Sequence, residues 1–283
     1  MNLKGGVGKT TLTANLCRAL CSVRPFKILL IDTDPQCSLT LIFKNEEEVD
    51  KIEEDKTFYD ILCSQTSDMQ RKLPRCTFNA TNPTPGKLDV LPSHVQLIRP
   101  MIASMLAGVR PGEAYRFDKM GSNFSQLLDA ATSVYDLVVL DTNPSGNIAT
   151  FLAVKHADYI IAPVTSDRFS IRGIALMREV FANQFEWLRK EPWRLIPIIN
   201  NVADDREAAR VRDQLKAKAE GSFGEEALIE YVRHSKFLAY NEKKLGFAID
   251  RKVGVMNHGR QQQMTANLER AARELATKTQ LIQ

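Results

Sequence analysis

The chain has 283 residues, of which 44% are hydrophobic and 25% charged, and it carries a net charge of +4. A chain of this length buries enough surface to be stable without staples, and its five cysteines form no C-x-x-C pair, so a disulfide scaffold is not indicated. No signal peptide is recognisable and no apolar run reaches membrane-spanning length; a reducing cytoplasm is the expected setting, and the small positive charge only hints at an anionic partner.

The first informative stretch is Lys4-Gly5-Gly6-Val7-Gly8-Lys9-Thr10-Thr11. Three glycines within four positions let the backbone curl so that successive N–H groups point inward at an anion. Lys9 adds a point charge suited to β- and γ-phosphates, and the Thr10 hydroxyl can hold Mg²⁺. Leu12, Leu16 and Leu20 follow at helical spacing, so the loop opens a helix whose N-terminus also favours phosphate. The dinucleotide fingerprint fails, because Gly6-Val7-Gly8 is followed by Lys9-Thr10-Thr11 and no third glycine arrives. The usual P-loop glycine five residues before Gly8 is replaced by Leu3, and a second lysine, Lys4, heads the loop.

With Lys4 in that place the loop resembles the deviant Walker A motif of the partition and positioning ATPases typified by ParA, Soj and MinD. The resemblance implies ATP and Mg²⁺ as cofactors, with Gly5, Gly6, Val7, Gly8, Lys9, Thr10 and Thr11 around the phosphates. It also implies homodimers that sandwich two ATP molecules, the Lys4-type lysine of each subunit reaching the nucleotide of the other. In the family a central strand precedes the loop, yet only Met1-Asn2-Leu3 stand there. A first strand that is missing or truncated is therefore expected, which would leave two neighbouring strands with unpaired edges.

Beyond the first helix, Lys27-Ile28-Leu29-Leu30-Ile31 reads as a buried parallel strand ending in Asp32-Thr33-Asp34-Pro35-Gln36. Open α/β sheets bind ligands at that carboxyl edge, although an Asp-Pro turn in solvent has the same composition. The run matches the family's D-x-D-P-Q switch I, and the resemblance gives Asp34 the attacking water and Asp32 a supporting place near Mg²⁺ and Thr10. Residues 44–87 say little: an acidic run from Asn45 to Asp50, a short helix over Thr57–Leu62, and a loop from Asn79 to Gly86. Leu88–Ser93 reads as a second strand, and residues 95–134 as helical with a break at Arg110-Pro111-Gly112.

Tyr135–Asp141 has the Walker B shape, an apolar strand carrying a carboxylate, Asp141, to the Mg²⁺ side of the site. The family continues Asp-x-Pro-Pro-Ser, whereas here Asn143 stands at the first proline, which alters the switch II turn. Tyr159–Val164 is a further strand, leading through Thr165-Ser166-Asp167 into a helix past Gly173. Leu195–Ile199 delivers Asn200-Asn201; the family places a base-contacting residue here, and Asn200 is the choice, against a simple Asn turn.

From Asp204 the chain turns basic and helical, with Arg206, Arg210, Arg212, Lys216 and Lys218, then Arg233, Lys236, Lys243, Lys244, Arg251 and Lys252. Mixed charge on a helix also describes a solvated face. By position, Arg206, Arg233 and Lys236 resemble the residues with which chromosomal partition ATPases hold DNA without reading sequence. A last helix near Arg260–Lys278 carries Met264, Leu268, Ala272 and Leu275 in one stripe, too thin and lacking aromatics for the membrane helix of MinD-type members. The histidines lack metal-ligand spacing, and Cys17 and Cys21 read as packing residues.

Strand and helix alternate throughout, so the expected fold is one doubly wound α/β domain over residues 1–283, a mainly parallel sheet with helices on both faces. The resemblance implies a weak, partner-stimulated ATP hydrolase of ParA type, cytoplasmic and nucleoid-associated. It would bind DNA nonspecifically, take a ParB-like partner, have no membrane role, and partition plasmid or chromosomal DNA. The alternatives are a MinD-like membrane-positioning ATPase and an iron–sulfur carrier of the nitrogenase iron-protein type. The second needs a cysteine near switch II, and none follows Cys76.

Overall fold

Leu12, Leu16 and Leu20 form the buried stripe that their spacing predicts, on a helix from Lys9 to Val23. The computed structural model describes residues 4–63, 68–80, 86–106, 113–143, 147–186, 191, 194–218, 227–228, 230–240 and 245–282. In chain order the elements are α1 (Lys9–Val23), β1 (Lys27–Asp32), α2 (Thr40–Phe43), α3 (Glu46–Asp50), α4 (Phe58–Cys63), α5 (Met69–Cys76), β2 (Phe78–Asn79), β3 (Lys87–Leu91) and α6 (Ile98–Leu106). They continue with α7 (Glu113–Thr132), β4 (Leu137–Asp141), α8 (Ile148–His156), β5 (Ile160–Val164), α9 (Arg168–Gln184), β6 (Leu195–Val202), α10 (Asp205–Lys218), β7 (Val232–Arg233) and α11 (Val255–Lys278). Met1-Asn2-Leu3, the break at Arg110-Pro111-Gly112, Pro144-Ser145 of switch II, and Lys243-Lys244 lie outside the described residues. The architecture is the expected doubly wound α/β, mainly parallel sheets with helices on both sides.

The chain divides into two compact units, one of Arg24–His156 with Tyr240–Phe247, the other of Met1–Val23, Ala157–Ala239 and Ala248–Gln283. The first, here the carboxylate unit, has strand order β2-β3-β1-β4. Ile28, Leu29, Leu30 and Ile31 of β1 are all fully buried; a four-residue apolar run with no polar face is what a strand covered on both sides requires. Leu29 and Ile31 pack with Phe58, Ile61 and Leu62 of α4 and with Phe124 and Leu127 of α7. The Phe58 and Phe124 rings meet edge to face, their centroids 6.1 Å apart. β1 pairs in parallel with β3 and with β4, the latter in a register that sets Asp32 beside Asp141. Asn79, read as the start of a loop, instead closes the short β2, paired antiparallel with Asp89; its amide donates to the buried Asp89 carboxylate at 2.9 Å.

The second unit, here the P-loop unit, has strand order β5-β6-β7, all parallel. Pro197 sits in the central strand β6. Its carbonyl accepts from Leu228 N, away from β5, so the donor that proline lacks would also face away and no bond to β5 is lost. β6 runs beyond Ile199 to Val202, with a register shift against β7 between Asn200 and Val202. Asn201 takes φ +60 there, a left-handed conformation that asparagine tolerates. The final helix starts at Val255 and buries the expected stripe, Met264, Leu268, Ala272 and Leu275, packing along α1. Asn15 of α1 accepts from Ala248 N at 2.8 Å, Arg18 grips Asp250 through two bonds of 2.8 Å, and Gln261 of α11 donates to Ala248 O at 3.1 Å. These bonds bind the segment from Ala248 to Asp250 to both helices, so the phosphate-loop helix and the last helix share one polar seam.

Within their units β4 and β5 each end a sheet, with one strand partner among the described residues. Leu137 to Leu140 of β4 are accordingly only half-buried, although all four are apolar.

Cys17, Cys21, Cys37 and Cys76 are buried and Cys63 is exposed. Burial pushes the Cys21 and Cys76 thiols up to about 11 and Cys37 up to about 12, the last with help from the charges of Asp32 and Asp34. A thiol raised by about two pKa units carries about a hundredfold less thiolate, the nucleophilic form. Iodoacetamide at pH 8, read by peptide mass spectrometry, is therefore expected to label Cys63 at least about a hundredfold faster than Cys21, Cys37 or Cys76. Comparable labelling of Cys37 in the folded chain would contradict its burial.

Candidate nucleotide-binding site

The glycine-rich loop is shaped by backbone angles that side chains resist. Gly6 has φ +75 and Gly8 φ +82, in the left-handed region where a Cβ is penalised. Val7 between them is buried and anchors the loop, while Gly5 and Gly6 are exposed. Gly8 O accepts from Leu12 N at 2.8 Å, which makes Gly8 the residue from which α1 springs. No acidic side chain stands in the first turn of α1, so the positive end of the helix dipole is left for an anion. Lys9 Nζ donates to Lys4 O at 3.0 Å, tying the two ends of the loop together. Exposed glycine amides, a helix N-terminus without an acid, Lys9 and the Thr10 hydroxyl are a donor set that fits a polyphosphate.

Two side chains from distant strands join this loop. Asn200, at the end of β6 and 6% exposed, donates from Nδ2 to Val7 O at 2.8 Å. A Cβ added to Gly8 would stand 2.7 Å from that same nitrogen. Asn200 therefore braces the phosphate loop, and this Nδ2 contact is to the loop backbone, where the family resemblance expects a base edge. Asp167, just after β5, forms an ion pair of 2.7 Å with Lys4 Nζ. Its Oδ1 also accepts from Phe169 N at 3.1 Å and Ser170 N at 3.0 Å, capping α9, and its Oδ2 accepts from Thr165 Oγ1. Burial alone would raise the Asp167 carboxyl, but the bonds from Lys4, Thr165 and Ser170 outweigh it and hold it down at about 2.

In the carboxylate unit the structure brings Asp32, Asp34 and Asp141 onto one sheet edge and the turn that follows it. Asp32 is fully buried; its Oδ2 accepts from Thr40 N at 2.8 Å and Thr40 Oγ1 at 2.7 Å, and its Oδ1 from Asp34 N at 3.1 Å. Burial first, and the Asp141 charge beside it second, push the Asp32 carboxyl up to about 7 against those hydrogen bonds. Asp34 is half-buried, its Oδ1 accepting from Gln36 N at 3.0 Å and its Oδ2 from Ser38 Oγ at 3.3 Å, which shapes the switch I turn. Cys37 in that turn takes φ +54. The Asp141 carbonyl accepts from Thr33 Oγ1 at 2.7 Å and Thr33 N at 3.1 Å, stitching the ends of β1 and β4. Asn143, the departure from the switch II pattern, is buried and accepts from Asn147 Nδ2 at 2.8 Å; Asn147 in turn accepts from Thr150 N at the start of α8. The substituted residue thus supplies an acceptor that a proline side chain has not.

A family model described as an AAA domain matches residues 1–190. The chain belongs to the ParA-like partition ATPase family. Soj, the sporulation initiation inhibitor protein of Bacillus subtilis, is 28% identical over 174 residues, covering 62% of this chain and 60% of Soj. Matches to the first curated relatives span between 48% and 61% of those relatives' length. Among solved structures, pNOB8 ParA bound to nonspecific DNA aligns with a TM-score of 0.65 and 19% identity over 100% of this chain and 98% of that one. The McdA–ATP complex from Cyanothece aligns with a TM-score of 0.64 and 15% identity over 98% and 94%. These two likenesses establish the P-loop NTPase fold of ParA type.

Within this ParA-like chain, the basic residues read from sequence are placed in the P-loop unit. Arg206, on α10, and Arg233 and Lys236, on and just after β7, are all exposed. Arg233 is the most engaged of the three, with its guanidinium 3.2 Å from Asp205 Oδ1, 3.0 Å from Tyr231 Oη, and 5.7 Å from the Tyr231 ring centroid. Both charges of that pair are more than half exposed, so solvent screens it and an incoming anion competes with it readily. Asp167 was missed by the sequence reading, which treated Thr165-Ser166-Asp167 as a lead into a helix. The signal available was an Asp at a helix start in a chain whose phosphate loop carries an extra lysine. Among the described residues no helix is long and apolar enough to cross a membrane, and no cluster of three or more His, Cys, Asp or Glu is arranged for a metal ion.

Proposed function

We propose that this chain is an ATP-dependent, dimerising ATPase of ParA type that binds DNA nonspecifically and acts in plasmid or chromosome partition. The observation that carries the reading is the phosphate loop itself, left-handed at Gly6 and Gly8, closed by the Lys9–Lys4 bond and headed by a second lysine. Lys9 and the loop amides bind the β- and γ-phosphates, and Thr10 offers its hydroxyl to Mg²⁺, the ion that neutralises phosphoryl charge when bound. Asp141 and Asp32 are the acidic residues assigned to the Mg²⁺ side. Asp34 accepts a proton from, and orients, the attacking water, while Lys4 serves the nucleotide of the second copy. A ParB-like protein is the expected stimulating partner.

The DNA partner rests on the exposed Arg206, Arg233 and Lys236 and on the similarity to pNOB8 ParA, whose structure holds nonspecific DNA. Dimerisation doubles the phosphate contacts available to one copy, so DNA binding should require ATP and be indifferent to sequence. Each contact contributes about 0.9 to the log–log salt slope on duplex DNA. Replacing Arg233 and Lys236 with alanine is expected to weaken binding equally on unrelated duplexes, by about tenfold or more at low salt, and to flatten that slope. Replacing Lys216, an exposed residue of α10, should do much less. Fluorescence anisotropy across a salt series, with and without ATPγS, is the measurement. An unchanged slope, or equal binding without nucleotide, removes this basic face from the function.

A further inference from the structure

The carboxylate unit holds a pocket whose residues play no part in the nucleotide site. It has a volume of about 190 Å³ and is walled by the ends of α2, α3 and α5, the 3₁₀ turn Glu54–Lys56 and β2. Four cations line it, Lys44, Lys51, Lys56 and Arg75, against one carboxylate, Glu53. Glu53 pairs with Lys56 at 2.8 Å, but the two side chains are 65% and 47% exposed, so an incoming anion displaces it readily. Lys44 lies over the Phe78 ring, 4.8 Å from its centroid. Among the described residues, Lys51 and Arg75 have no carboxylate partner.

Acids are abundant next to this pocket and are kept out of it. Seven of the ten residues 46–55 are acidic, yet only Glu53 lines the cavity, and the other six are exposed outside it. Helix C-termini favour cations, which accounts for a base at Lys51 after α3 and at Arg75 in the last turn of α5. It does not account for both sharing one cavity with Lys44 and Lys56, where like charges repel. An anion removes that repulsion, and a cleft focuses the field that draws it in. The frame is fixed beforehand. Cys76 Sγ donates to Asp55 O at 3.6 Å, joining α5 to the 3₁₀ turn, and the Phe78 ring meets Phe43 edge-on at 6.3 Å.

We propose that this pocket binds a compact polyanion, a pyrophosphate group either free or carried on a small phosphorylated metabolite. Its volume lies below the roughly 300–1,000 Å³ of pockets that bury drug-sized molecules, so the charged group is the part it takes. Arg75 offers a fork of donors to two phosphate oxygens, and the three lysines supply point charges around them. A DNA strand or an acidic peptide would need such cations spread along a line, whereas here they converge on one cavity.

The test uses the whole chain without nucleotide, in EDTA so that pyrophosphate stays free of metal. Acylation by an N-hydroxysuccinimide ester is followed at single lysines by peptide mass spectrometry. Pyrophosphate is expected to slow labelling of Lys51 and Lys56 at least about threefold, half-maximally at about 1 mM or below, while the exposed Lys216 stays constant. Labelling of Lys4 and Lys9 reports the phosphate loop separately. In a Lys51→Gln/Arg75→Gln chain two charge-assisted bonds are lost, so protection of Lys56 should need about tenfold more pyrophosphate. Uridine diphosphate, run in parallel, separates two supporting outcomes: stronger protection than by pyrophosphate assigns a metabolite-borne group, weaker protection the free ion. Unchanged labelling of Lys51 and Lys56 overturns the proposal, as does equal protection by sodium chloride at matched ionic strength, which is screening alone. Wild-type protection of Lys56 in the double variant overturns it too. Protection by a hexaglutamate peptide but not by pyrophosphate also overturns it and assigns the face to an acidic protein segment.

Discussion

Alanine at Lys9 is expected to remove nucleotide binding, by at least about a hundredfold, whereas alanine at Asp34 should leave ATP bound and stop turnover. Lys9 both closes the phosphate loop, through its 3.0 Å bond to Lys4 O, and carries charge at the mouth of α1. Its loss removes charge-assisted bonds to the phosphates, which are roughly twice as strong as neutral ones, and loosens the loop as well. The Asp34 oxygens shape the switch I turn through Gln36 N and Ser38 Oγ. A group that acts only on water contributes to the transition state and not to ground-state binding, so the loss appears in kcat, by about 10²- to 10⁴-fold. Lys4→Ala should differ from both, binding ATP as a monomer without dimerising or hydrolysing. A fluorescent ATP analogue titrated against each variant, followed by phosphate release, distinguishes the three. Wild-type turnover by the Asp34 variant would end its assignment.

Gly8→Ala should destabilise the nucleotide-free chain by about 2–5 kcal/mol, and its cost should shrink in an Asn200→Ala background. A Cβ at φ +82 costs roughly 1–2 kcal/mol by backbone sterics alone. The same Cβ would lie 2.7 Å from Asn200 Nδ2, so the amide must move and give up its bond to Val7 O, leaving a buried donor or acceptor unpaired for about 1–3 kcal/mol more. With alanine already at 200, the clash is absent and only the backbone cost remains. The double variant is therefore expected to be less destabilised than the sum of the two singles by about 1 kcal/mol. Urea unfolding of the four proteins measures this coupling. Strict additivity would show that Gly8 and Asn200 do not meet in solution.

Much of the fold was legible because its signals are local. Four apolar residues between Lys27 and Asp32 have nowhere to go but a doubly covered strand. The stripes Leu12–Leu16–Leu20 and Met264–Leu268–Ala272–Leu275 follow the helical period, so each helix face is set by the residues that share it. The positive φ at Gly6 and Gly8 is likewise a matter of what a Cβ does to its own backbone.

The sequence by itself determined the phosphate loop, the order of strand and helix, and which acids stand at strand ends, since each depends on sterics and periodicity among near neighbours. Only the tertiary structure decided the partners of the polar side chains. Asn200 has both a donor and an acceptor, which suits a base edge or a carbonyl equally; the end of β6 brings its amide to Val7 O. Asn201 beside it lies past the strand end that the sequence sets at Ile199, yet β6 continues and its pairing with β7 shifts there. In sequence Asp167 only leads into a helix; the structure makes it the cap of α9, and the parallel placement of β5 in the same unit as the phosphate loop lets that carboxylate also take Lys4. A hydrogen-bonding group carries no information about where in the chain its partner lies, so such pairings follow from topology once the apolar periods have built it.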